Sequence, residues 1–261
     1  MLNRPTLSRP PEKVFFMMTC PCDSFFNQAA QATVEVLEQL GIEVVIPENQ
    51  TCSEQPAFHR EDWKARRAVV RHMETVFAGT DPIILPSGSC AAMLFHGVPL
   101  EFEKERDLAA IKSMSHRTWE IFDFLYHGLR IHQWTGTLAR KVAIHSFCHT
   151  RGTGTTQAIR ALLGSIKDLD ILDFASPEQC CEFGRAFSVS YPDVSCKMDC
   201  LKIDTVLEKK PDLLVSDDMG CLMHLQGLVE KEGKTLPICH AIEILRDTMR
   251  KESLKYVLAG H

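Results

Sequence analysis

The sequence has no apolar run of about 18 residues, which argues against a transmembrane helix. Its first residues, MLNRPTLSRPPEK, lack the apolar core of a secretory signal. They are polar and proline-rich, so residues 1–12 are expected to form a flexible arm and the protein to be cytoplasmic. Basic residues are not in excess: Lys and Arg number 29 against 34 Asp and Glu, for a net charge of −5 and a pI near 6.1. That balance disfavours nucleic acid and anionic membranes as partners, since both need a basic face. No flavin or nicotinamide fingerprint is present. RGTGT, residues 151–155, has neither the GxGxxG spacing nor a Walker lysine. It reads as a loop opening a helix, with glycines that let the backbone approach a bound group closely.

Thiols are abundant. The chain has 261 residues, 45% hydrophobic and 24% charged, enough for one large domain or two small fused ones. Eleven of these residues are cysteines. In a reducing compartment they are not expected to pair as structural disulfides. Burial, redox chemistry and metal binding remain.

The chain repeats itself. KVFFMMTC at residues 13–20 and KVAIHSFC at residues 141–148 each read as a buried strand ending at a cysteine. A helical pattern follows each, QAAQATVEVLEQLG and TTQAIRALLG, with Gly41 and Gly164 expected just past the helix ends. A second strand comes next, IEVVIP or LDILDF. Cys20 and Cys52 enclose 31 residues, and so do Cys148 and Cys180. A third strand and a third cysteine close each copy, at Cys90 and Cys221.

This order predicts an α/β fold of two pseudo-repeated, Rossmann-like halves with parallel sheets. The cysteine loops fall at the C-terminal ends of the strands, where ligands gather in such sheets. The expected organisation is the arm at 1–12, a first repeat at 13–100, a helical linker at 101–140, and a second repeat at 141–261. The second repeat ends in an extra strand, LPICH, and a helix, AIEILRDTMRKES.

CCEFG, residues 180–184, admits three readings: a vicinal disulfide, two core thiols, or two ligands of one centre. The repeated spacing favours the last, with Cys148, Cys180, Cys181 and Cys221 forming a cup of four thiolates suited to an iron–sulfur cluster or to zinc. The first half offers Cys20, Cys52 and Cys90, but Ser53 occupies the place of the second adjacent cysteine. Cys22, the Ser53 hydroxyl or His59 are candidates for a further ligand there; alternatively this half has kept its fold and lost its metal. His145 and His149 bracket Cys148 and either hydrogen-bond to the centre or pack structurally. Cys196, Cys200 and Cys239 fall outside the repeat and read as core. SGSC and DMGC, at residues 87–90 and 218–221, are expected to open helices whose N–H groups favour a thiolate.

Two copies of Cys, 31 residues, then a vicinal Cys-Cys-Gly-like element resemble the cysteine-rich CCG domain. FFMMTC, VLEQLGIEVVIPENQTC, PSGSCAAM, CCEFG and DMGCLMH carry the resemblance. The two-copy, stand-alone form is similar to the lactate utilization protein A family, related to the CCG-bearing subunit of heterodisulfide reductase and to the iron–sulfur subunit of glycolate oxidase. The resemblance implies an iron–sulfur electron-transfer subunit, an oxidoreductase component of an L-lactate (2-hydroxy acid) oxidation system. It would carry [4Fe–4S] clusters on the cysteines named above and work with other subunits, one a ferredoxin-like iron–sulfur protein. A zinc-stabilised scaffold without redox activity and a thiol–disulfide protein using Cys180 and Cys181 are the competing readings. Against the family pattern, Ser87 and Asp218 stand where a terminal CxxC has its first cysteine. Ser53-Glu54 replaces Cys-Gly in the first copy, and Glu182 replaces glycine in the second. Glu182 is then a candidate oxygen ligand or proton donor.

Overall fold

A computed structural model describes residues 7–59, 61–148, 153–175, 179–181, 188 and 190–249. The chain divides into two compact units, Met1–Arg130 and Ile131–His261.

The first unit is built on four parallel strands: β1 (Lys13–Phe16), β2 (Glu43–Val45), β3 (Ile83–Leu85) and β4 (Thr118–Glu120), in the order β2-β1-β3-β4. Every residue of β3 is buried, as expected of a central strand covered by helices on both faces. The Asn27–Gln39 helix lays Ala29, Thr33, Val36 and Leu37 on the sheet and stops beside Gly41, whose φ of +81° only glycine adopts without strain. The core gathers Met17, Val70, Met73, Phe77, Leu94 and Phe102, and Cys90 lies within it.

The second unit repeats the plan with β5 (Thr137–Ile144), β6 (Lys167–Leu172), β7 (Leu213–Ser216) and β8 (Ile238–His240), in the order β6-β5-β7-β8, all parallel. Cys181 and Cys221 belong to its core, with Phe147, Ile203 and Leu225. Here the first helix ends differently from the expectation. Gly164 is its last residue, and Ser165 closes it by donating to the Leu162 carbonyl at 2.7 Å while accepting from the Trp134 amide at 2.6 Å.

Residues 101–140, expected to be a helical linker, contribute more than helix. They supply β4, which pairs with β3 through Ile84↔Trp119, and the first residues of β5. The extra strand of the second half therefore has a counterpart in the first. Each fourth strand ends in a polar residue that caps the following turn. The Glu120 carboxylate accepts from the Phe122 and Asp123 amides at 2.7 and 3.1 Å, and His240 Nδ1 accepts from the Ile242 amide at 3.2 Å. Three residues, all buried, are too few to display a strand's alternation, so β4 left no periodic signal.

Candidate metal centre

In each sheet the strand order reverses direction between the first and third strands, the crevice where open α/β sheets take ligands. In the second unit Cys148 follows β5, Cys180 and Cys181 follow β6, and Cys221 lies in the first turn of the Met219–Lys231 helix after β7. Tertiary folding brings them together as two pairs. Cys181 Sγ is 2.8 Å from Cys221 Sγ, and Cys148 Sγ is 3.6 Å from Cys180 Sγ. Cys181 and Cys221 are buried, whereas Cys148 and Cys180 are partly exposed.

His145 joins the buried pair. One ring nitrogen of His145 and the sulfurs of Cys181 and Cys221 all lie within 4.8 Å of one another, a donor set able to hold a metal ion. Asp218 caps the cysteine-bearing helix, its Oδ1 accepting from the Cys221 amide at 3.2 Å. Burial pushes the Cys221 thiol up to about 12; the Cys181 sulfur counters this, and Asp218 adds to it. A coordinated cation reverses that preference, because it stabilises the thiolate directly.

The first unit repeats the arrangement with Ser53 in the place of Cys181, Ser87 in that of Asp218 and Met17 in that of His145. The Ser53 hydroxyl donates to Cys90 Sγ at 3.0 Å, the counterpart of the Cys181–Cys221 contact. The Cys20 thiol is pushed upward, first by its hydrogen bond with Cys52, then by burial and by the Cys52 and Cys90 sulfurs. Ser87 Oγ faces the Cys90 amide at 3.5 Å, as Asp218 faces that of Cys221. A cleft of about 380 Å³ opens beside Cys20 and Cys52. Gln50, on its wall, accepts from the Met18 amide at 2.9 Å and donates to the Phe16 carbonyl at 3.1 Å, tying the β2 loop to the end of β1. Cys22 is buried, with its thiol pushed up to about 11 by burial and pulled back by Thr19. The Cys90 sulfur adds to the rise.

The cysteine-rich (CCG) domain model matches residues 14–95 and 142–226, both copies. Over 235 residues the chain is 36% identical to lactate utilization protein A of Bacillus cereus (strain G9842), covering 89% of this chain and 98% of the relative. Over 240 residues it is 37% identical to lactate utilization protein A of Geobacillus thermodenitrificans (strain NG80-2), with the same coverage. The chain belongs to the lactate utilization protein A family. Its fold is also shared with a hypothetical protein from Helicobacter pylori of known structure, at a TM-score of 0.68 and 12% identity. That match covers 98% of this chain and 52% of the other, so the chain spans about half that protein's length.

Two departures of this family member from the pattern acquire a physical meaning. Ser87 and Asp218, in the places of the first cysteine of CxxC, are the caps of the two cysteine-bearing helices. Glu54, in the place of the first copy's glycine, holds a left-handed φ of +56°. His149 and Glu182 lie outside the described residues, as does the side chain of His59. Cys196 and Cys200, expected in the core, are half-buried on the Pro192–Leu207 helix; burial pushes the Cys239 thiol up to about 12.

Sequence reasoning missed the buried cations. Arg66, on the Trp63–Val76 helix, is wholly enclosed; its Nη1 donates to the carbonyls of Ser53 at 3.0 Å and Glu54 at 2.5 Å. Its Nε pairs with the Glu101 carboxylate at 2.6 Å. Lys202, on the Pro192–Leu207 helix, is 2% exposed and donates through Nζ to the Gln179 carbonyl. Basic residues at helical spacing ordinarily face water, and no local pattern separates these two from the rest.

Proposed function

We propose that this family member is an iron–sulfur electron-transfer subunit of an L-lactate-oxidising system. The observation that carries the proposal is the convergence of Cys148, Cys180, Cys181 and Cys221 at the carboxyl edge of a parallel sheet, in a chain whose relatives are lactate utilization proteins. These four thiolates hold the cluster of the second half. Cys20, Cys52 and Cys90, with the Ser53 hydroxyl as a further donor, are the ligands of the first. Bound iron–sulfur clusters supply a store for single electrons. The protein supplies fixed thiolates, a capped helix presenting Cys221, and a core that keeps water from the buried sulfurs. His145 orients or hydrogen-bonds the inner side of the centre. The remaining subunits of the system, a ferredoxin-like iron–sulfur protein among them, deliver or remove the electrons in the cytoplasm.

A zinc site is the second reading, favoured by the compactness of the inner donors. Three ligand atoms within 4.8 Å of one another match a single tetrahedral ion. Purification without oxygen, followed by iron, acid-labile sulfide and zinc analysis and a visible spectrum, separates the two. About four irons and four sulfides per chain support one cluster, and about eight support two. Colourless protein with stoichiometric zinc overturns the electron-transfer reading.

A further inference from the structure

Both halves thread a buried cation under the cysteine loop that follows their second strand. Arg66 lies on the Trp63–Val76 helix and Lys202 on the Pro192–Leu207 helix, and each donates to backbone carbonyls beside its half's second-strand cysteine: Ser53 and Glu54 in one case, Gln179 in the other. The two copies share a buried cation at the loop but differ in what it holds: Ser53 and Glu54 follow Cys52, whereas Gln179 precedes Cys180.

The two cations differ in what faces them. The Arg66 charge is met by the Glu101 carboxylate at 2.6 Å, with both side chains enclosed. Burial pulls the Lys202 ammonium downward in pKa, opposed first by the sulfurs of Cys181 and Cys221 and then by the Asp199 carboxylate. Asp199 is itself 2.6 Å from His224 Nε2. Burial of an ammonium group is costly unless an anion compensates it. Thiolates carrying a metal centre are such an anion.

We infer that Lys202 is a positioning residue of the second-half centre, holding the Cys180–Cys181 loop by its hydrogen bond and setting the centre's reduction potential by its charge, whereas Arg66, neutralised by Glu101, anchors its loop alone. The inference rests on the iron–sulfur reading. A fixed positive charge in a low-dielectric surrounding favours the reduced cluster, which carries one more negative charge. Its removal lowers the potential.

The test is a dithionite titration followed by electron paramagnetic resonance on anaerobically purified, full-length protein. The second-half signal is identified as the one lost in Cys221→Ser. Lys202→Met removes the charge, Lys202→Gln removes it but keeps a donor for the Gln179 carbonyl, and Lys202→Arg keeps both. The midpoint potential is expected to fall in the Met and Gln variants and to stay near wild type in the Arg variant. Loss of the centre in both neutral variants with retention in the Arg variant supports the same role. Loaded Met and Gln variants with an unchanged potential overturn the inference and leave the iron–sulfur reading standing. Wild-type protein that takes up no iron overturns that reading and the inference with it.

Discussion

Glu54 stores backbone strain that its neighbours make use of. A left-handed φ costs a residue with a Cβ roughly 1–2 kcal/mol, and glycine escapes most of it. The conformation turns the Ser53 and Glu54 carbonyls toward one guanidinium, that of Arg66. Glu54→Gly is therefore expected to raise stability by about 1 kcal/mol, read from the urea midpoint at constant slope. An unchanged or lower midpoint counts against strain at this position. Arg66 gives the opposite case. Replacing it with Met strands the Glu101 carboxylate, which burial already pushes upward in pKa, and is expected to cost about 3–5 kcal/mol. Arg71 makes similar contacts with Glu105 and Asp107 but is 45% exposed, so Arg71→Ala is expected to cost about 1 kcal/mol or less. Equal losses in the two urea titrations would show that enclosure of Arg66 contributes nothing.

The helices that deliver Cys90 and Cys221 are each capped by a single side chain. Asp218 closes the start of the Met219–Lys231 helix one turn before Cys221 can diverge from Cys181. Asp218→Ala is expected to cost about 1 kcal/mol and to lower metal retention in the second half, measured as metal per chain after gel filtration. Unaltered metal content would separate the cap from the site. The strands that carry these loops were legible because β1, β3, β7 and the Val142–Ile144 end of β5 are short apolar runs that lead into a cysteine or a capping residue. The strand β4 was not. Its Trp119 is buried against the sheet, but a three-residue strand between helical segments has no period to read. The loop-anchoring cations were equally silent, because burial of Arg66 and Lys202 depends on where the helices dock and not on their own spacing.

At the scale of the whole chain, the two units carry separate donor sets, so their metal contents should change separately. Cys180→Ser with Cys181→Ser is expected to remove the second-half metal and leave any first-half share intact. Cys20→Ser with Cys90→Ser is expected to do the reverse. Iron, sulfide and zinc analysis of both variants checks this, and loss of all metal from either one would show that the sites are interdependent. Metal coordination by buried thiolates is linked to folding, so a chelator is expected to lower the thermal midpoint of the loaded protein. An unchanged midpoint after verified metal removal would show that the folded sites form without it. Among the described residues no helix is long and apolar enough to cross a membrane.

The sequence alone determined the class of the fold, the twofold repeat and the cysteines to compare, because strand periodicity and equal spacings are local or translational properties of a chain. Tertiary structure decided the rest. It placed Cys181 on Cys221 and Ser53 on Cys90, joined His145 to the inner pair, turned Ser87 and Asp218 into caps, and buried Arg66 and Lys202 beneath the cysteine loops. Apart from the two caps, which bridge only three residues, each of these is a contact between segments brought together by the sheet and its helices, or a burial set by how a helix docks, and neither can be read from a residue's immediate neighbours in sequence.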